Sequence, residues 1–254
     1  MVDGPPLALV TGGHRRLGGH IALGLARAGY RLALHGSHDC VLDGWLEEGL
    51  DTAEAEWAGF VADFEQPDTV ISLMGDVTAR FGRAPDLLVN SAALFGQDML
   101  EDVSADMLMR HYAVNCAAPV MLVQAFAGTE GAGRGRSIIN ILDQRLSQPH
   151  GDQLSYTLSK QALAGFTQIA ARELAGRGIR VNAVAPGLTL ATDAYDAERM
   201  ERLAGMMPLS ALPTPQDIAE AVLYLALARS VTGQVLAVDG GAHMRSFPRD
   251  FMHL

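Results

Sequence analysis

Short unbroken apolar runs alternate along this chain with longer stretches in which apolar positions recur every three to four residues. The runs are Leu7–Val10, Arg31–His35, Trp57–Ala62, Leu87–Asn90, Ser137–Leu142, the stretch ending at Pro186, and Val235–Val238. Being near-continuous rather than alternating, they read as strands covered on both faces of a parallel sheet. Helical spacing governs Leu17–Ala28, the charged segment Leu42–Glu56, Asp68–Phe81, Ala105–Phe126, Ser155–Ala175 and Pro215–Ala228. The pattern predicts one α/β domain over residues 1–254, with no interdomain linker or repeat.

Leu7 to Tyr30 organises the rest. A strand enters the breaker cluster Thr11-Gly12-Gly13, and a helix leaves it with Leu17, Ile21, Leu25 and Ala28 on one stripe. Gly29 closes that helix. Such a turn aims unpaired N–H groups and a positive helix end at one point, which suits a phosphate or pyrophosphate.

Composition narrows the partners. At 49% hydrophobic residues the chain can fill a large core, and its net charge of −10 argues against nucleic acid or an anionic membrane. Two cysteines, Cys40 and Cys116, fit a reducing compartment, and the N-terminus carries no signal-peptide pattern, so a cytoplasmic protein is expected. His14, His20, His35 and His38 lack metal-ligand spacing, and no metal site is expected.

The acid that usually ends the second strand and binds the adenosine ribose is missing; His35-Gly36-Ser37-His38 stands there. Arg15, in the glycine turn, is placed to meet a 2′-phosphate, which favours NADPH over NADH. Asp63, ending the third strand, fits either an adenine amino group or a cap before Pro67. Small residues Ser91-Ala92-Ala93 follow the fourth strand and let the backbone approach a ligand. Asn115 inside a helix fits a specific amide role or plain exposure. The fifth strand delivers Asp143 at its C-terminal end. Tyr156 and Lys160, four apart, share one helix face, and an ammonium there would lower the phenol's pKa and tune a proton donor.

Over nearly its whole length the chain resembles the short-chain dehydrogenase/reductase family. The residues are TGGHRRLG at 11–18, Asp63, Asn90-Ser91-Ala92, Asn115, Tyr156–Lys160, RVNAVAPG at 180–187 and VTGQVLAVDGG at 231–241. The resemblance implies a Rossmann-type, doubly wound α/β domain with a seven-stranded parallel sheet and NAD(P)-dependent hydride transfer, with NADPH favoured by Arg15. In it Tyr156 is the acid/base, Lys160 lies on the nicotinamide ribose and Asn115 holds a relay water. It places the phosphate-side contacts at Gly12, His14, Arg15, Arg16 and Leu17. The adenosine contacts fall at His35, Ser37, Asp63 and Phe64, and the nicotinamide contacts at Asn90, Ser91, Ala92, Pro186, Gly187 and Thr189.

Two departures narrow it. Arg16 replaces the middle glycine of TGxxxGxG, and Asp143 stands 13 positions before Tyr156, where the family usually has serine. Both resemble pteridine and dihydromonapterin reductases, as does NSAALF at 90–95, in which Phe95 would sandwich a pterin. A carboxylate opposes a developing alkoxide but suits the N–H donors of a pterin, whose C=N bond grows more basic as hydride arrives. Arg16, Phe95, Asp143 and Tyr156 are therefore the expected substrate contacts, with a dihydropterin, dihydromonapterin or dihydrofolate as substrate. The alternatives are a carbonyl or 3-oxoacyl reductase and a non-catalytic NADPH-binding sensor. Residues 190–213 are expected to form a substrate lid. The resemblance also implies a homotetramer, and the stripe Leu158, Ala162, Phe166 and Ile169 fits either its interface or a helix buried twice within its own subunit. The tail, 242–254, is expected against a neighbouring subunit, with Arg245 or Arg249 near its substrate site.

Overall fold

The computed structural model describes residues 4–129, 135–191 and 195–254, so residues 192–194 of the expected lid lie outside the described residues. The apolar runs form β1 Leu7–Thr11, β2 Arg31–Gly36, β3 Trp57–Val61, β4 Leu87–Asn90, β5 Ser137–Ile141, β6 Arg180–Pro186 and β7 Val235–Val238. They pair in parallel in the order β3-β2-β1-β4-β5-β6-β7, the seven-stranded sheet anticipated. Between them run α1 Arg16–Arg27, α2 Gly44–Thr52, α3 Pro67–Phe81, α4 Ala105–Tyr112, α5 Ala118–Gly128, α6 Leu154–Ala175, α7 Ala197–Met206 and α8 Pro215–Leu227.

Consecutive residues of a strand face opposite sides. Leu7 and Leu9 join the layer of α3, α5 and α6, with Leu73, Val77, Leu122, Phe126 and Leu174. Ala8 and Val10 join the layer of α1, α2 and α8, with Ile21, Leu25, Leu50, Val222 and Leu225. All four of those β1 side chains are wholly inaccessible, which explains why the run carries no polar residue before Thr11. The strand order reverses between β1 and β4, and their register sets Thr11 beside both His35 and Asn90. The crevice at such a switch point is where open α/β sheets bind ligands.

The long helix expected over Ala105–Phe126 is interrupted by one wide turn, Ala113–Ala117, with π-helical bonding. Pro119 has no N–H for the carbonyl four residues back, so the regular ladder cannot run through it.

At the opposite, N-terminal edge of the sheet, arginines answer helix ends. Arg136 donates to the carbonyls of Pro85, Phe126 and Thr129 and lies 3.8 Å over the Phe126 ring. Arg180 reaches the last carbonyls of α8, Leu225 and Ala226, and Arg177 that of Ala127.

The tail departs from expectation: it folds onto its own chain. Gly240 and Gly241 both take positive φ, 66° and 88°, and turn the chain back after β7. A Cβ at Gly240 would meet the Ala211 carbonyl at 2.2 Å. Phe251 and Ala242 then bury against Leu203 of α7 and Met207, with Phe247 and Leu254 alongside. Arg199 donates to the carbonyls of Phe251 and Met252, and Arg202 to that of Leu254.

Candidate active site

The turn after β1 is held by long-range bonds that no local pattern displays. The Thr11 hydroxyl accepts the N–H groups of Ser91 and Ala92, both at 3.0 Å, joining the ends of β1 and β4. The His35 ring bridges the other way: Nε2 lies 2.8 Å from the Ala62 carbonyl and Nδ1 lies 3.2 Å from the Gly12 N–H. A carbonyl cannot donate, so Nε2 carries the proton and Nδ1 accepts. Burial lowers the His35 pKa to about 4, which keeps that neutral form in place. Phe64 stacks on His35 at 4.2 Å.

Gly12 takes φ 62°, and a Cβ there would press on the Ala92 Cα at 3.0 Å. At Gly18 it would meet the Gly12 carbonyl at 2.1 Å, so α1 starts directly on the turn. The N-cap residue of α1, Arg15, makes no side-chain capping bond, and of the first N–H groups of the helix the one at Arg16 goes to Asp43 at 3.3 Å. Arg16, in the glycine's place, keeps the glycine's backbone: φ is 49°.

On the other side of the crevice, Asp143 accepts the Tyr156 hydroxyl at 3.1 Å through Oδ2. Its Oδ1 accepts the Arg145 N–H at 2.9 Å and lies 3.3 Å from Arg145 Nε. Lys160 is buried and donates to the Ile141 carbonyl at 2.7 Å. Burial lowers its pKa to about 8, against the pull of Asp143. The expected lowering of the Tyr156 pKa by Lys160 is not what the site does. Burial and the Asp143 carboxylate hold that phenol well above its ordinary value, with Arg145 opposing them only in part. Tyr156 is thus kept protonated and aimed at Asp143.

The N-terminus of α6, which carries Tyr156, is fixed from outside. Asp98 accepts the Ser155 N–H and hydroxyl, while Gln153 takes φ 51° just before the helix. Asn115, on the wide turn, accepts the Leu94 N–H at 2.7 Å and donates to the Leu94 carbonyl and the Ser159 hydroxyl, both at 2.9 Å. It clamps the segment that carries Phe95.

These parts enclose one cavity of about 950 Å³ running from His35 and Asp63 to Phe95, Tyr195 and Met252. Gly12, His14, Arg15, Arg16 and Leu17 line it at the turn, Ser37, Asp63 and Phe64 at the β2 and β3 ends, and Ser91 and Ala92 after β4. Asp143, Tyr156, Lys160, Pro186, Gly187 and Thr189 line the far side. Phe95 is half exposed into the cavity and meets Tyr156 edge-on at 4.8 Å, so it is no core residue. Two expected site residues are not on the wall. Asn90 is wholly buried, donating to Asn140 at 2.8 Å, because its side chain points into the sheet layer rather than the crevice. Asn115 stands behind Leu94.

Sequence reasoning did not single out six contributors. Thr11 and Arg145 adjoin recognised positions, and their neighbourhood was the available signal. Tyr195 and the tail residues Asp250, Phe251 and Met252 line the cavity with no motif to announce them. Burial and the nearby Asp250 push the Tyr195 pKa up to about 12. Among the described residues no cluster of histidine, cysteine and acidic groups suits a metal, and no helix is long and apolar enough to cross a membrane.

A family model described as Enoyl-(Acyl carrier protein) reductase matches residues 13–243. Similar proteins include a (3R)-3-hydroxyacyl-CoA dehydrogenase of Canis lupus familiaris, 34% identical over 94% of this chain and 96% of that protein. A 3-oxoacyl-(acyl-carrier-protein) reductase FabG of Staphylococcus aureus is 34% identical over 93% and 98%. Among solved structures, FolM alternative dihydrofolate reductase 1 from Brucella canis, complexed with NADP, superposes with a TM-score of 0.85 at 34% identity, covering 94% of this chain and 95% of that one.

Proposed function

The chain belongs to the short-chain dehydrogenase/reductase family of oxidoreductases, and from that premise we propose an NADPH-dependent reductase of the pteridine type. Its substrate is a dihydropterin, dihydromonapterin or dihydrofolate, reduced at a C=N bond. The observation that carries this reading is Asp143, fixed 3.1 Å from the Tyr156 hydroxyl and paired with Arg145. A carboxylate in that place repels an alkoxide and attracts the N–H groups of a pterin ring.

The crevice fits a dinucleotide. The Gly12 turn has no room for a Cβ, the N-cap residue Arg15 makes no side-chain capping bond, and Arg15 lines the cavity at the turn, where it would meet a 2′-phosphate. Ser37, Asp63 and Phe64 would hold the adenosine end; Lys160, Pro186, Gly187 and Thr189 the nicotinamide end. When bound, NADPH supplies the hydride. The chain's own groups do the rest. Phe95 and Tyr195 offer aromatic surface to a flat ring. Asp143 orients the ring through its N–H donors, Arg16 offers a cation at the mouth, and Tyr156 delivers a proton to the ring nitrogen. Asn115 is a positioning residue, acting through Leu94. The similarity to FolM supports this reading, since that protein is described as a dihydrofolate reductase bound to NADP.

The 3-oxoacyl reading is kept because two relatives at 34% identity carry names of that chemistry. A cofactor-binding sensor is disfavoured by the complete Asp143, Tyr156 and Lys160 set. For assembly we propose a homotetramer: Met109 and Tyr112 of α4 and Leu158 and Ile169 of α6 are exposed, so α6 is not buried twice within its own chain. Free Cys40 and Cys116 suit the cytoplasm.

The test is NADPH oxidation with dihydrobiopterin, dihydromonapterin, dihydrofolate and a 3-oxoacyl thioester side by side, in wild type and Asp143→Ser. Pterin turnover that falls by roughly 10²-fold in the variant, with ketone turnover equal or higher, is expected. Exclusive thioester reduction by the wild type overturns the pteridine reading.

A further inference from the structure

The C-terminal tail does more than cover the cavity. Asp250 is buried, and its Oδ2 lies 2.7 Å from Arg145, the same guanidinium that braces Asp143. Arg145 therefore bridges two carboxylates, one beside the proton donor and one in the tail, 105 residues beyond Arg145 itself. Its remaining edge goes to Gln153, which donates to Gln97 at 3.0 Å, and Gln97 in turn reaches the Met252 sulfur at 3.2 Å. The Met252 N–H returns to Asp250 at 2.9 Å and closes the ring. A second anchor fixes the same point: Asp152 accepts the Asp250 N–H at 2.7 Å and pairs with Arg249 at 2.8 Å.

We propose that Asp250 is a positioning residue for proton transfer: it holds the Arg145 guanidinium away from the Asp143 oxygen that serves Tyr156, and so makes the tail part of the catalytic half of the site. The inference rests on the reading that Tyr156 and Asp143 carry the proton step. The geometry supplies the reason. With one amino group committed to Asp250, Arg145 touches Asp143 only through Oδ1 and leaves Oδ2 to Tyr156. Freed from Asp250, the planar fork can turn and take both oxygens of Asp143, as guanidinium–carboxylate pairs prefer. Tyr156 would then lose its acceptor and the substrate its carboxylate. The ring also ties this brace to Phe251 and Met252 on the cavity wall, and to α7 through Arg199.

Asp250→Asn keeps the shape and removes the charge. The charged and titratable groups around Tyr156 are Asp143 and Arg145 after β5, Lys160 on α6 and Asp250 in the tail; His150 faces Arg145 and Asp250. Loss of one negative charge there shifts the basic limb of the kcat–pH profile to lower pH, which a merely structural lesion does not do. We expect kcat to fall roughly tenfold or more, with NADPH affinity by fluorescence within twofold. Asp250→Glu should restore the limb and part of kcat, and Arg145→Gln with Asp250→Asn should be no worse than Arg145→Gln alone. Hydrogen exchange, which needs no turnover, should speed up in Asp250→Asn across residues 245–254 and 144–153. Kinetics are read on whichever panel substrate the wild type reduces, so a ketone-only enzyme removes the pteridine reading and leaves this test standing. Unchanged kcat and limb in Asp250→Asn, or unchanged exchange if no panel substrate turns over, overturns the proposal.

Discussion

The two edges of the parallel sheet bury the same kinds of charge and use them in opposite ways. At the N-terminal edge Arg136 directs its donors at the Pro85, Phe126 and Thr129 carbonyls and the Thr129 hydroxyl. Arg180 does the same for the end of α8. These guanidiniums complete helix C-termini, where carbonyls and a negative dipole end await a cation. At the C-terminal edge, Asp143, Tyr156 and Lys160 are also buried or nearly so, but their partners leave acceptor and donor capacity facing a cavity. A buried polar group whose partners all lie within the chain stabilises the fold. One left partly open is a place for a ligand.

The sharpest way to break this contrast is to cut one residue at each edge. Tyr156→Phe should lower kcat by roughly 10²–10⁴-fold with little change in Tm, since only an O–H is removed. Arg136→Met should leave kcat of the folded enzyme unchanged while costing about 3 kcal/mol, because several buried carbonyls lose their donor. Steady-state kinetics and urea melts on both variants decide it. A kcat loss in Arg136→Met, or a large stability loss in Tyr156→Phe, would erase the distinction between the edges.

The same contrast explains what was legible in the sequence. Strands, helices and the Gly12 turn were readable because periodicity and turn chemistry are local. Asp143, Tyr156 and Lys160 were readable because each falls at a strand end or on one helix face. Asp98 capping α6, Thr11 tying β1 to β4 and the Arg145–Asp250 pair were not, since each joins residues about 55 to 105 positions apart. The tail was misjudged for a related reason. Its apolar residues announced that something would cover them, but only the reversal at Gly240 and Gly241 made their own chain the partner.

His35 sharpens the comparison, for it behaves like an N-terminal-edge residue placed at the C-terminal edge: both ring nitrogens are committed within the chain. Its folded pKa of about 4 lies below the ordinary 6.5. The neutral ring is therefore the folded form. Its contribution is complete above pH 6.5 and is lost as pH falls through about 4, because a protonated Nδ1 cannot accept the Gly12 N–H. The loss reaches up to about 3 kcal/mol. Urea melts between pH 7 and pH 4 should show a steeper decline in wild type than in His35→Asn; parallel declines would remove His35 from the turn's stability.

Lys160 offers the converse, a charge buried for function at some cost to the fold. Its pKa is lowered from 10.5 to about 8, so folding disfavours its charged form. That penalty is fully present below pH 8 and vanishes as pH rises through 10.5. Lys160→Met, tested without cofactor, should stabilise the protein by about 2 kcal/mol at pH 7, the penalty less one hydrogen bond to Ile141, while abolishing turnover. The gain should shrink between pH 8 and pH 10.5. A variant that is less stable at pH 7 would show Lys160 to be a structural cation like Arg136. It is the sole lysine among 254 residues, so amine-directed labelling of the enzyme reports only this group and the N-terminus.

Arg16 carries the smallest effect and the finest distinction. Its φ of 49° places a long side chain in the left-handed region, at a cost of about 1 kcal/mol. The backbone cannot relax, because the turn must reach Gly18 packed on the Gly12 carbonyl, and the Arg16 N–H is held by Asp43 at 3.3 Å. Glycine fits this conformation freely, though it gives part of the gain back through the entropy of the unfolded chain. Arg16→Gly should therefore raise stability by somewhat less than about 1 kcal/mol, whereas Arg16→Ala, which keeps the strain, should not. Both remove the cation from the cavity mouth, so both should raise KM for cofactor or substrate alike. Equal stability of the two variants would mean that the left-handed turn is unstrained. Equal KM to wild type in both would mean that the arginine is retained for something other than the ligand.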